Sequence, residues 1–232
     1  MERTFFFPLS KSEEKKVDPF LQIDIFEKVD PSFSQFVWPA APILVKFLIS
    51  RNHEICNHKN ILELGGGAGL PSIAAAMLGC NVFLSDRIDS TEWEELARRN
   101  IKENEVESKI RIFPIEWAEF TEEMFELPKF DYIIASDCFY DRNIFEDLIC
   151  TVSFFLTLNP SCRFWTTYQN RSVGKTLFLD TLFRRWGLEC DEIPLHCFDA
   201  DYFFTSNGSE GNATPANHIE EENFKLWEIY KC

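Results

Sequence analysis

An acid followed by glycines at alternate positions, Glu63 and then Gly65, Gly67 and Gly69, carries the clearest chemistry in this chain. Two apolar residues, Ile61 and Leu62, lead into the acid, and an apolar run follows the glycines to Leu78. The pattern reads as strand, tight turn, helix. Glycine admits positive φ and leaves the main chain bare, so a small ligand can lie against peptide groups. The N-terminus of the following helix faces the same ligand. A second strand, Asn81–Ser85, ends in Asp86, 21 residues past Gly65, where a carboxylate for ribose hydroxyls belongs. The glycine spacing departs from the G-x-G-x-x-G dinucleotide fingerprint, which disfavours a nicotinamide cofactor. The plain alternative is a βα turn with no ligand; three alternating glycines followed by a correctly spaced acid count against it.

Ligands of open α/β sheets sit at the carboxyl ends of the strands. The expected ends carry Glu63 and Gly65, Asp86, Trp117 and Asp137. The glycine turn with its acid, Glu63, and Asp86 resemble the first two motifs of the class I, seven-stranded S-adenosylmethionine-dependent methyltransferases. Asp137-Cys138-Phe139-Tyr140 closes the fourth main strand. With Trp38 ahead of the first helix and Trp117 after the third strand, it resembles the branch called methyltransferase family 16, protein methyltransferases with an acid-x-x-Tyr motif after strand four. Val37-Trp38-Pro39, Ala135-Ser136-Asp137 and Thr166-Thr167-Tyr168-Gln169 carry the same resemblance, which covers roughly residues 35 to 170.

The resemblance implies S-adenosylmethionine as cofactor and assigns roles. Glu63, Gly65 and Gly67 hold its methionine end and Asp86 its ribose. Trp38 and Trp117 flank it, Trp117 near the adenine, and Ala135 and Ser136 supply backbone and wall. Asp137 and Tyr140 face the substrate amine and the methyl group. A tryptophan face beside a sulfonium is physically sensible, because the ring attracts a cation. Each residue also has a structural alternative. Trp38 and Trp117 fit as core aromatics, Tyr140 as a packing residue and Asp137 as a helix N-cap. Cys138 reads as a small buried residue, since no base motif accompanies it. Asp199 and Asp201 are further acidic candidates that fit equally well as loop charges.

The elements that must position these residues alternate. Residues 4–28 have a period of two and predict a strand or hairpin ahead of the main fold. Pro39 opens a helix to about Ser50. Strands are expected at Asn60–Leu64, Asn81–Ser85, Lys109–Pro114, Phe130–Ser136 and Cys162–Tyr168. Helices are expected at Leu70–Leu78, Thr91–Glu105, Ile144–Leu158 and Val173–Trp186. Two last strands, Leu188–Pro194 and Phe224–Tyr230, follow without a helix between them. This is an α/β, Rossmann-like, mostly parallel seven-stranded sheet with an antiparallel C-terminal hairpin. The division is a β extension over residues 1–34 and a methyltransferase domain over residues 35–232. Residues 205–217, small and polar, read as a mobile loop between the last two strands.

Bulk properties narrow the class. The 232 residues suit one large domain. Eight cysteines are scattered with no C-x-x-C pair, so neither a zinc site nor a redox motif is expected. Residues 1–5 lack a secretory n-region, and no apolar run reaches membrane-spanning length. A cytoplasmic and nuclear protein with reduced thiols is expected. The net charge of −15 repels phosphate backbones and suits a Lys/Arg-rich partner, although solubility alone explains it equally well. The strand-four motif lacks the paired prolines of base amino methylation, and no Pro-Cys nucleophile for cytosine chemistry is present. The reading is therefore a protein methyltransferase acting on lysine or arginine of a basic protein. The resemblance leans to arginine on a histone or chromatin protein, with no direct nucleic acid and no membrane partner. A small-molecule methyltransferase and a non-catalytic cofactor-binding regulator are the alternatives.

Overall fold

In the computed structural model, residues 1–9, 20–28, 35–88, 91–170, 174–198, 203–206, 214–215 and 223–231 are described. The main sheet is built from short apolar strands: β3 (Asn60–Glu63), β4 (Asn81–Leu84), β5 (Ile110–Ile112), β6 (Tyr132–Ser136), β7 (Arg163–Gln169), β8 (Leu188–Glu192) and β11 (Phe224–Lys231). Its spatial order is β5-β4-β3-β6-β7-β11-β8. The first five run parallel. β11 is antiparallel to both neighbours, inserted between β7 and the edge strand β8. The seven strands follow the expected pattern, with one refinement: the antiparallel strand stands next to the edge rather than on it.

Successive strand side chains point to opposite faces, and both faces are covered. Ile61, Ile134, Trp165 and Leu226 join one core. Their chain neighbours Leu62, Ile133, Phe164 and Trp227 join the other. The first core receives α1 (Ala40–Ser50), the short α2 (Asn52–Ile55), α3 (Leu70–Met77) and α4 (Thr91–Glu103). The second receives the single turn α5 (Glu122–Phe125), α6 (Phe145–Leu158) and α7 (Lys175–Arg185). A 3-10 turn, Arg142–Ile144, leads into α6 and is capped by Asp141, whose Oδ1 accepts the Asn143 N–H at 3.0 Å. The cap is therefore Asp141, and Asp137 is left for another task.

The N-terminal period-two segment forms a hairpin, β1 (Glu2–Pro8) against β2 (Phe20–Phe26). Phe5, Phe7, Ile23 and Ile25 are each at most 1% exposed and join the first core. Burying each stabilises the fold by about 1.5–3 kcal/mol. The other edge of β2 is met by α4. Asn100 and Asn104 each exchange two hydrogen bonds with its backbone, at Phe26 (2.8 and 3.1 Å) and Asp24 (2.9 and 2.7 Å). Two side-chain amides thus stand in for a missing strand and cover an edge that would otherwise pair with another chain.

The segment expected to be a mobile loop needs correcting. β9 (Phe203–Ser206) and β10 (Thr214–Pro215) pair with each other, and β9 pairs with β1, giving a second sheet of order β10-β9-β1-β2. Phe-Phe-Thr-Ser favours a pleated surface once a partner edge is present. That partner lies about two hundred residues away, so no local pattern announces it. Residues 207–213 and 216–217 of the expected loop lie outside the described residues.

Candidate active site

The sheet order reverses between β3 and β6, and a cleft of about 620 Å³ opens there at the carboxyl ends of the strands. This is the switch point at which such sheets bind ligands, and the volume is within the range of small-molecule sites. The glycine turn after β3 forms its floor. Gly65 has φ +63°, and a Cβ there would lie 2.7 Å from Cys138 Sγ and 3.2 Å from the Trp117 ring. Gly66, outside the alternating pattern, is the tighter position: a Cβ would stand 2.1 Å from Leu84 Cδ1. The turn is held from three sides. The Gly66 N–H donates to Ser85 O at 2.9 Å, Trp93 Nε1 donates to Gly67 O at 2.8 Å, and Asn100 Nδ2 donates to Ala68 O at 2.9 Å.

Asp86 lines the cleft at the end of β4, 8% exposed. One carboxylate oxygen accepts the Gly67 N–H at 2.8 Å and the other the Arg87 N–H at 2.9 Å. Burial raises its pKa, and these two N–H donors oppose the shift. Glu63 behaves differently. It is fully buried under the turn rather than part of the cleft lining. Its Oε2 accepts the Ser72 N–H at 3.0 Å and the Ser72 hydroxyl, tying β3 to the first turn of α3. Its Oε1 has no hydrogen-bond partner. Burial pushes its pKa up to about 8.

The walls come from three other segments. Phe36, Val37 and the half-buried Trp38 form one lip. A buried ion pair in the N-terminal hairpin fixes that lip. Arg3 Nε donates to Glu27 Oε2 at 2.6 Å, Arg3 also bonds Glu27 Oε1, and Glu27 Oε1 accepts the Val37 N–H at 2.6 Å. Arg3 further donates to Val37 O at 3.1 Å and lies 4.8 Å from the Phe36 ring centroid. Ile115, Glu116 and Trp117 form the second wall, and Ser136, Asp137, Cys138 and Tyr140 the third. Ala135 is fully buried behind this wall and does not line the cleft. Asp137 is 6% exposed and has φ +55°, a conformation uncommon outside glycine. Its N–H donates to Thr167 O at 2.7 Å, and its Oδ1 accepts the Gln169 N–H at 3.1 Å. Cys138 is buried, its thiol directed at Leu64 O at 3.4 Å, and burial raises its pKa well above normal, so it is no nucleophile. Tyr140 is 62% exposed at the cleft mouth, which removes the packing alternative. Desolvation, then Cys138 and Asp86, raise its pKa, so the phenol keeps its proton at neutral pH.

Eight of the ten sequence-chosen site residues thus line one cleft: Trp38, Gly65, Gly67, Asp86, Trp117, Ser136, Asp137 and Tyr140. Glu63 and Ala135 lie behind it. Phe36, Arg87 and Glu116 line it as well and escaped sequence reading, hinted at only by their adjacency to chosen residues, and Val37, quoted in a motif but given no role, lines it too. Asp199 and Asp201 lie outside the described residues. Among the described residues the lining carries Asp86, Glu116 and Asp137 against a single cation, Arg87. A cleft with that balance favours cationic ligands.

The lysine methyltransferase family, methyltransferase family 16, matches residues 18–185. The chain belongs to this family. Histone-arginine methyltransferase METTL23 of Xenopus laevis is 35% identical, over 81% of this chain and 79% of that protein. The human protein of the same name is also 35% identical, over 72% of this chain and 85% of its own length. Protein N-lysine methyltransferase METTL21A of Xenopus tropicalis is 30% identical over 50% of this chain and 52% of that protein. Among solved structures, a SAM-dependent methyltransferase from Aquifex aeolicus superposes with a TM-score of 0.55 at 12% identity, covering 88% of this chain and 100% of that one. The glycopeptide N-methyltransferase MtfA does so at 0.56 and 13% identity, over 83% and 90%. These two speak for the fold alone. Methyltransferase-like protein 23 of Dictyostelium discoideum is 32% identical, over 75% of this chain and 74% of that protein.

The chain is an S-adenosylmethionine-dependent protein methyltransferase. The residues present fit that cofactor: a bare glycine floor, a buried carboxylate at the β4 end, two tryptophan rings and an acidic lining. Bound there, the cofactor supplies an electrophilic methyl group on a sulfonium.

Proposed function

We propose that this chain methylates an arginine side chain of a basic protein, with lysine as the competing acceptor and histones as the first substrate to examine. The acids of the lining that remain once Asp86 holds the ribose, Asp137 and Glu116, are the observation that carries this reading. A guanidinium loses its proton only above a pKa of about 12, so its nitrogen must be polarised by carboxylates while it attacks. A lysine, with a pKa near ~10.4, must be deprotonated outright. Asp137, held by Thr167 and Gln169 in a left-handed conformation, suits the polarising role. Tyr140, protonated at the cleft mouth, suits a donor that orients the acceptor. In this reading Asp86 holds the ribose hydroxyls, Gly65 and Gly67 the methionine end, Trp38 and Trp117 the flanks, with Ser136 as wall. Ala135 acts only from behind it, and Glu63 acts on the methionine end through the turn above it. Holding acceptor and methyl in line supplies much of the catalysis.

The relatives named as histone-arginine methyltransferases support the choice of acceptor. The same reading puts the enzyme in cytosol and nucleus, where such substrates are made and used. It treats residues 1–34 as an extension that braces the lip of a catalytic domain spanning 35–232. The test is incubation with labelled cofactor, core histones and a proteome extract, followed by mass spectrometry of the modified residue. Protease-sensitive, nuclease-resistant label on arginine is expected. Tyr140→Phe should leave cofactor affinity nearly unchanged while lowering kcat. Label that nuclease removes, or label confined to small metabolites, sinks the proposal.

A further inference from the structure

Residues 116–129 hold five acids, Glu116, Glu119, Glu122, Glu123 and Glu126, against one lysine, Lys129. Two large aromatics in the same stretch face solvent: Phe120 is 43% exposed and Phe125 63%. They close on the half-buried Phe154 of α6, with ring centroids 4.7 and 5.2 Å apart. A groove of about 200 Å³ continues from the patch, lined by Phe125, Leu127, Phe130, Phe155 and Leu158. Phe130 and Phe155 belong to the second core, so the floor is rigid. Glu119, Glu122, Glu123 and Glu126 are exposed, and among the described residues none of the four is in an ion pair. Contiguous exposed aromatics rimmed by one sign of charge mark an interaction surface.

The patch is tied to the catalytic cleft by a short, anchored stretch. Glu116 and Trp117 line the cleft. The Ala118 N–H then donates to Thr151 Oγ1 at 2.8 Å, pinning the chain to α6. Phe120 is three residues beyond Trp117, a separation of at most about 11 Å. The groove lies farther off, beside Phe130 and Asn159 at the amino ends of β6 and β7. A substrate that fills it must run at least the length of β6, about 17 Å or five extended residues, beyond the cleft.

We infer that the Phe120–Phe125–Phe154 patch, with its rim of glutamates, docks a Lys/Arg-rich segment of the protein substrate that carries a large apolar side chain. The apolar side chain enters the groove and the cations meet Glu119, Glu122, Glu123 and Glu126. The inference rests on the protein-substrate reading of the cleft and adds where the substrate is gripped beyond its reacting residue. Aromatic anchors in a charged rim dominate affinity in this way, while the rim sets encounter rate and salt dependence.

The test uses the full chain and a fluorescein-labelled peptide repeating Lys-Leu-Arg-Phe, read by anisotropy. An all-arginine peptide serves as the apolar-free comparison. Phe125→Ser and, separately, the pair Glu122→Lys and Glu123→Lys should each weaken the first peptide by about tenfold or more. The charge-matched pair Glu103→Lys and Glu107→Lys, at the far end of α4, should leave binding nearly unchanged. With core histones, Phe125→Ser should raise KM while kcat and cofactor affinity hold. Equal weakening by the distant pair means generic charge attraction and overturns the inference. So does binding of the all-arginine peptide as tightly as the mixed one. A dimer in sedimentation that Phe125→Ser dissociates would assign the patch to a second copy and overturn it too. If the wild type labels no protein yet holds the mixed peptide at this patch, the function reading fails while the docking surface stands.

Discussion

Replacing Glu63 by glutamine gives the sharpest physical test of the site's foundation. The carboxyl has no exposure to solvent, and burial pushes its pKa from an ordinary 4.5 to about 8. A folded state that holds a proton which the unfolded chain has released gains stability at low pH. That contribution is fully present below the unfolded pKa of 4.5 and is lost as pH rises through the folded value near 8. The limiting slope is about 1.4 kcal/mol per pH unit, so wild-type stability should drop by up to about 3 kcal/mol between pH 6 and 8 from this group alone. Glutamine keeps an acceptor for the Ser72 donors and removes the titration. It also leaves an amide N–H where Oε1 now has no partner, a cost of about 1–3 kcal/mol. That cost does not vary with pH, so the difference in slope, rather than in level, is diagnostic. In denaturant melts of both proteins from pH 5.5 to 9, the Glu63→Gln curve should be flatter. In thermal scans the difference should approach about 6–12 °C over those two pH units. Parallel pH profiles would show that Glu63 is ionised in the fold, and the account of its burial would be wrong.

Other substitutions test other parts of the site. Asp86→Ala should weaken S-adenosylmethionine by about 10–100-fold in isothermal titration, through lost charge-assisted hydrogen bonds and a loosened Gly67. Gly66→Ala puts a methyl 2.1 Å from Leu84 Cδ1, so it should destabilise the protein by about 1–3 kcal/mol and impair cofactor binding as the turn shifts. Both are readable in one thermal-shift titration, and an unchanged midpoint would refute the packing argument. Arg3→Met leaves Glu27 buried without its cation and should cost about 3–5 kcal/mol. If Arg3→Met melts like wild type, the lip does not depend on that pair.

The central βα unit was legible because its signals are local: two apolar residues leading into an acid, glycines needing special φ, an apolar helix run, and Asp86 at a fixed distance. Trp38, Trp117, Asp137 and Tyr140 came from motif resemblance, and the cleft gathers all four. What stayed hidden was non-local. Gly66 looks redundant in sequence, yet it faces Leu84 of the adjacent strand. Glu63 reads as a ligand residue because it precedes the glycines, but its side chain turns under them to Ser72. The Arg3–Glu27 pair that sets the cleft lip joins residues with no pattern between them. β9 needed an edge that only the hairpin supplies, and α4's asparagines imitate a strand with side chains, which no propensity scale registers.

The pairing of β1 with β9 also has a consequence in time. The Phe5-Phe6-Phe7 strand is synthesised about two hundred residues before its neighbour at Phe203–Ser206. At ribosomal speeds of roughly 5–20 residues per second, that strand flank stays unpaired for about 10–40 s. For that interval a run of three phenylalanines on an open edge is available to any other nascent chain. Attachment of folding helpers during that interval should therefore govern how much of this enzyme reaches its native state. Slowing translation after the hairpin is made should lengthen the hazard and lower the soluble yield.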